Sequence, residues 1–152
     1  MYKVTKNTHL VSIVLILIGI VATSYAFMTD THAAWTSLVF NNYFFLGISI
    51  FAVFFVALQH IAEAGWSTVI KRVPEAIMTF LPFTCFVMIF IVVAAMLHWN
   101  HIYHWMEEGI MIEGSPNYDK IIAGKEAYLN PIFFLVRSII YVVVWIYCAK
   151  RL

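Results

Sequence analysis

The chain has 152 residues, 63% hydrophobic and 11% charged, with a formal net charge of +1. A soluble domain carries about 25% charged residues, so this composition excludes a water-facing globular surface. With no basic stripe to neutralise phosphates, it gives no hint of nucleic-acid binding, and no nucleic-acid partner is expected.

A helix needs about 20 apolar residues to cross the hydrocarbon layer, and four runs reach that length, over residues 10–28, 38–64, 74–100 and 131–149. The expected fold is all-α: a single polytopic membrane bundle of about four transmembrane helices. The first run, Leu10 to Met28, follows Lys3 and Lys6. It also fits a signal peptide with a Ser24-Tyr25-Ala26 cleavage-like triplet, but the apolar stretch continues past that triplet, which favours a retained helix. Thr29 to Ser37 is expected to be a short loop. The second run, Leu38 to Ala64, takes in Gln59, His60 and Glu63 near its end, and Gly65 to Val73 follows as a second short loop. The third starts at Pro74, a good first helical position, and reaches about Trp99. Pro82 within it should kink the helix and free a backbone carbonyl one turn earlier.

The connection from about His101 to Asn130 is too long to be structureless. Gly114-Ser115-Pro116-Asn117 reads as a turn, and Asp119 to Tyr128 as a short interfacial helix. Gly124-Lys125 is not a phosphate loop, because the first glycine and the preceding strand of that motif are missing. The fourth run, Pro131 to Cys148, holds one charge, Arg137. Cys85 and Cys148 lie inside apolar runs without CxxC or Cys/His spacing and read as buried thiols.

Orientation follows from the positive-inside rule. Lys3 and Lys6, Lys71 and Arg72, and Lys150 and Arg151 mark three regions that belong together on the inner side, which puts both termini inside. The long loop between helices 3 and 4 is then external. Trp35, Trp66, Trp99 and Trp105 fall near the expected interfaces, as an aromatic belt requires.

Ionisable residues inside a membrane are costly unless paired or wet, so each marks a functional candidate. Gln59, His60 and Glu63 form an inner cluster, and at spacings of three and four they would share one helical face. An imidazole beside a carboxylate can pass a proton; the plainer reading is the wet end of a helix. His98, His101 and His104 form an outer cluster with Arg137, if the third helix continues that far. Arg137 lies roughly 9 Å into the fourth helix at 1.5 Å per residue. It needs a carboxylate, a helix carbonyl, a lipid phosphate or a quinone carbonyl, unless it simply snorkels or pairs between helices. Haem ligation by this chain alone is not expected: His60 and His98 lie at opposite ends, and His9 and His32 belong to the membrane edges. Zinc at the three outer histidines lacks a fourth ligand.

Residues 59 to 81 (QHIAEAGWSTVIKRVPEAIMTFL), 97 to 106 (LHWNHIYHWM) and 121 to 137 (IIAGKEAYLNPIFFLVR) occur in series. Together they resemble the ActF-like (NrfD, polysulfide-reductase-type) membrane subunit of bacterial alternative complex III, a quinol:cytochrome c oxidoreductase. The resemblance covers about residues 38 to 150, and the first helix fits it in pattern only. It implies a multi-pass subunit of the bacterial inner membrane that supports a quinol pocket, a proton path or both. Haem c and iron–sulfur clusters would belong to partner subunits, with no cofactor bound by this chain alone. Lipid and quinol are its expected small-molecule contacts. Carried over by position, His60, Glu63 and Gln59 would serve an inner proton path and His98 and Arg137 its outer half. His98, His101 and Arg137 would be quinone-proximal. Members of that family are usually longer, built from two four-helix bundles plus extra helices, so half of the expected pocket would come from elsewhere. The residues alone leave two further readings: a small proton or ion transporter subunit, and a purely structural membrane anchor.

Overall fold

In the computed structural model, which describes residues 6–152, the chain is helical, with no strand among the described residues. Its helices are α1 (Lys6–Thr29), α2 (Thr31–Ile61), α3 (Ser67–Ile70), α4 (Arg72–Met78), α5 (Leu81–Met96), α6 (Lys120–Ala123) and α7 (Pro131–Arg151), with a 3-10 turn at His104–Met106. Four segments are long and apolar enough to span a membrane: α1, α2, the stretch Arg72–Met96, and α7. Lys3 lies outside the described residues.

The chain divides into two compact units, Met1–Leu38 and Val39–Leu152. In the first, no side chain of α1 is buried, as suits a helix whose whole surface is apolar and whose solvent is lipid. The stretch Thr29–Ser37, expected as a loop, is helical except at Asp30. The reason is local. The segment holds no Gly or Pro to break a helix, and the Asp30 carboxylate accepts from the Ala33 amide at 3.0 Å, capping the start of α2.

In the second unit α2, α5 and α7 pack together. Leu46, Leu81 and Cys85 form one buried cluster, flanked by Ile50, Val142, Trp145 and Ile146. Ala52, Val56 and Met78 form another, against Ile77 and Ala149. Lipid tails are as apolar as these side chains, so what holds the helices is close van der Waals fit, and small residues permit it. Ser49, Ala52, Ala94 and Ala95 are all buried. The two buried hydroxyls bond within their own helices, Ser49 to the Phe45 carbonyl at 2.8 Å and Thr84 to the Leu81 carbonyl at 3.0 Å. Cys85 is buried as expected, but Cys148 is exposed.

The second expected loop is also largely helical. Two prolines punctuate the third span in the same way. Pro74 has no N–H for the Ile70 carbonyl, and the helix is interrupted at Lys71. Pro82 has none for the Met78 carbonyl, and the interruption falls at Thr79 and Phe80. The helix is thus interrupted one turn before Pro82, where the kink was expected, and it starts at Arg72 rather than Pro74.

Two helices end earlier than their apolar runs. After α2, Glu63 has φ +45°, its amide donates to the His60 carbonyl and the Ala64 amide to the Gln59 carbonyl. After α5, His98 has φ +56°, its amide donates to the Ala95 carbonyl and the Trp99 amide to the Ala94 carbonyl. Both are Schellman closures, a left-handed residue turning the chain away from the helix axis. Each is built on a residue with a Cβ where glycine is usual. Asn100, buried behind the second closure, donates from Nδ2 to the Ile91 carbonyl at 3.4 Å. The runs expected to be helical to Ala64 and Asn100 thus stop at Ile61 and Met96.

The long connection has its own core. Gly109 and Gly114 take positive φ, Pro116 follows in the expected turn, and the Asp119 amide donates to the carbonyl of Ile110, which is fully buried. Asp119 caps α6 through the amides of Ile121 at 2.7 Å and Ile122 at 3.3 Å. The helix expected up to Tyr128 ends at Ala123 and continues as turns.

Candidate functional site

The structure separates the polar candidates into two places, near Tyr43 and near His60 of α2. Seventeen residue steps of helix separate them, about 26 Å at 1.5 Å per residue.

Near His60 the expected shared face of Gln59, His60 and Glu63 is not formed. Gln59 and His60 occupy the last turn of α2, while Glu63 sits in the left-handed closure beyond it, exposed, and makes no ion pair among the described residues. What converges with Gln59 and His60 instead is Ser67 and Lys71 from the α3 segment. Together with Phe55 and Pro74 they line a cleft of about 40 Å³, space for roughly three or four waters at about 10–15 Å³ each. The Gln59 Oε1 is buried without a hydrogen-bond partner among the described residues, and Lys71 is bridged to Glu75 at 3.3 Å. The cleft can hold water against Gln59.

Near Tyr43 the outer cluster is also rearranged. Because α5 ends at Met96, His98, His101 and His104 do not lie along one helix side. All three are exposed, and no three His, Cys, Asp or Glu side chains converge among the described residues. His104 Nδ1 faces Glu107 at 3.1 Å. None of the three histidines joins Arg137.

Arg137 is enclosed by aromatic rings instead. Asn130 starts α7 by accepting from the amides of Ile132 and Phe133, with Pro131 at the first position. That fixes Phe133, Phe134 and Arg137 on successive turns. Just upstream, the Tyr128 and Leu129 amides both donate to the Lys125 carbonyl, and this turn lays the Tyr128 ring under the guanidinium, 3.9 Å from its centroid. Phe133 and Phe134 follow at 5.3 and 5.6 Å. All three fall within the ~6 Å range over which a ring face attracts a cation. Phe134 also packs edge-on against Tyr103 and Trp105, each at 5.5 Å. Burial, and the Tyr43 hydroxyl hydrogen-bonded to it, push the Tyr103 phenol well above the usual tyrosine range, so it is held neutral.

One atom in this enclosure is unsatisfied. Arg137 Nη1 is buried and has no hydrogen-bond partner among the described residues. The arrangement therefore offers a fixed positive donor, an aromatic wall and a neutral phenol. That combination suits a flat carbonyl compound or an anion. Tyr43, Tyr103 and Tyr128 were missed by reasoning from ionisable residues; only Tyr128 carried a signal, the aromatic-rich stretch around Arg137, read only as a helix start.

Compared with protein-family models and with curated protein sequences, the chain matches none.

Proposed function

We propose that this multi-pass membrane protein is a subunit of a respiratory quinol:electron-acceptor oxidoreductase of the alternative complex III type, in a bacterial cytoplasmic membrane. It supports a quinol pocket and does not carry electrons itself. Two things support the reading: the serial motifs that resemble that family, and the enclosure around Arg137. The observation that carries it is the buried Nη1 without an acceptor. A desolvated donor left unpaired costs about 1–3 kcal/mol, which a quinone carbonyl accepting from it would offset while the ring stacks on Tyr128 or Phe134. In this reading Tyr103 supplies a neutral hydroxyl, Arg137 orients the headgroup, and iron–sulfur and haem c subunits on the outer side take the electrons. Glu63 and His60, at a wet helix end, are the entry of a proton path, and His98 belongs to its outer half.

The test is a mild-detergent pull-down of the tagged chain from its own membranes, read by mass spectrometry, haem spectrum and quinol:cytochrome c activity. Recovery with iron–sulfur and c-type haem subunits is the expected result. Recovery alone, or with transport proteins only, would overturn the reading in favour of a small transporter. In the assembled complex, Glu63→Gln should slow proton release; unchanged release and unchanged quinol oxidation would remove the proton role.

A further inference from the structure

The aromatic wall beside Arg137 hangs on one short 3-10 turn, His104–Met106, with extended residues on both sides. Two backbone bonds close it: the Met106 amide donates to the Tyr103 carbonyl at 2.9 Å, and the Glu107 amide to the His104 carbonyl at 3.1 Å. So short a 3-10 segment is weakly held by its backbone alone. Its side chains divide between two faces. Tyr103 and Trp105 stand edge-on to Phe134, each at 5.5 Å. His104, between them in sequence, is turned outward with its side chain 69% exposed, and its Nδ1 meets the Glu107 carboxylate at 3.1 Å. That contact joins the same two residues as the second backbone bond, so it acts as a clasp on the turn. An imidazole changes charge between about pH 5 and 8, whereas a carboxylate is ionised above about pH 5. Protonated, His104 makes a charge-assisted bond to Glu107; neutral, it keeps at most an ordinary one. The clasp is therefore tightest at about pH 5–6 and slackens as pH climbs through the imidazole range. Other groups near the turn do not share this titration. α2 brings Tyr43 to Tyr103, and α7 brings Arg137, with the Tyr128 ring beneath it; phenols and guanidinium groups keep their charge state over that range. On the same stretch lie a further carboxylate, Glu108, and a further imidazole, His101, which makes no ion pair among the described residues.

We infer that the His104–Glu107 pair is a pH-sensitive clasp on the aromatic wall of the Arg137 site, closed in mild acid and loosened above neutrality. The positive-inside pattern places this connection outside, so the clasp reads the pH of the outer medium. A closed clasp holds Tyr103 and Trp105 against Phe134 and slows exchange of whatever lies at Arg137. As control of ligand exchange, this rests on the quinol reading of Arg137; the clasp itself does not.

The test is fluorine NMR of the full chain in detergent with its five tryptophans replaced by 5-fluorotryptophan, the Trp105 resonance being assigned by its loss in Trp105→Phe. Without ligand, that resonance should move with one midpoint between about pH 5 and 8. His104→Gln and Glu107→Gln should each abolish the movement, His101→Gln should leave it, and the other four resonances should report an intact fold. A Trp105 resonance that does not titrate overturns the clasp, as does a titration that survives His104→Gln or Glu107→Gln, or one that His101→Gln removes. The second arm uses decylubiquinone as the probe. Its release should be up to about five-fold slower at pH 6 than at pH 8, the most an exposed pair supplies, and independent of pH in His104→Gln. Release that is independent of pH in the wild type, with the Trp105 titration intact, overturns the control of exchange. Failure of decylubiquinone to bind at either pH overturns the quinol reading, and the control of exchange with it, while the NMR arm still decides the clasp.

Discussion

Replacing Arg137 with Met separates a ligand-binding arginine from a structural one. Three rings attract the guanidinium. Tyr128 at 3.9 Å contributes on the order of 1 kcal/mol, and Phe133 and Phe134, beyond 5 Å, contribute a few tenths each. Against this stands the unpartnered, buried Nη1, which costs about 1–3 kcal/mol. Met keeps the aliphatic packing and removes both terms, so the net change should lie within about 1–2 kcal/mol of zero. For a chain of this size that is a shift in melting midpoint of roughly 2–8 °C in either direction, readable by tryptophan fluorescence in detergent. Quinol binding should respond differently, because a charged donor to a ligand carbonyl is worth about 1.5–3 kcal/mol, roughly a ten- to hundred-fold weakening. A loss of stability above about 3 kcal/mol with unchanged quinol binding would refute the reasoning and make Arg137 a structural tie.

Gly109 has φ +84°, and a Cβ there would lie 2.5 Å from Ser115 Oγ. Gly109→Ala should loosen the long connection by about 1–3 kcal/mol and speed its proteolysis between Ile110 and Asp119. Adding Ser115→Ala should recover the clash but not the backbone strain. His98→Gly should raise stability by about 1 kcal/mol, because a left-handed residue with a Cβ costs roughly 1–2 kcal/mol; a lower melting midpoint would show that the imidazole makes a needed contact. Tyr103 is held neutral, its folded pKa raised above the unfolded value, so its contribution is fully present below about pH 10 and is lost as pH climbs through the folded value. Absorbance titration near 295 nm should therefore find one tyrosine fewer ionising before alkaline unfolding than after it in the wild type, a difference that Tyr103→Phe removes. Ionisation of every tyrosine in the folded protein would contradict this.

The four spans were legible because lipid demands long apolar runs, and no polar surface can imitate them. The start of α7 was legible from Asn130-Pro131, and the turn at Gly114 from its glycine and Pro116. Helix ends were not. The usual stop signal is glycine, and here Glu63 and His98 take the left-handed position, so both runs read as longer helices and both residues as members of helical faces they do not occupy. The first loop misread for the converse reason: Thr29 to Ser37 is polar, but polarity without Gly or Pro does not unwind a helix. The site was half legible. Arg137 stood out by charge, whereas Tyr103 and Trp105 reach it only through the path of the long connection, which depends on Gly109, Asn100 and the buried Ile110. Spacing along the chain carries no trace of that path.

Arg137 is six residues into α7, a helix of 21 residues or about 31 Å, close to the ~30 Å hydrocarbon thickness. Tyr128, which precedes α7, draws the guanidinium toward the outer end, so the charge sits at most about 9 Å deep and would sense no more than roughly 30% of an applied transmembrane voltage. At about 2.3 kcal/mol per charge per 100 mV, that limit is roughly 0.7 kcal/mol. An anion bound to Arg137 would therefore gain or lose up to about three-fold in affinity per 100 mV, making occupancy of the aromatic enclosure a function of how energised the membrane is.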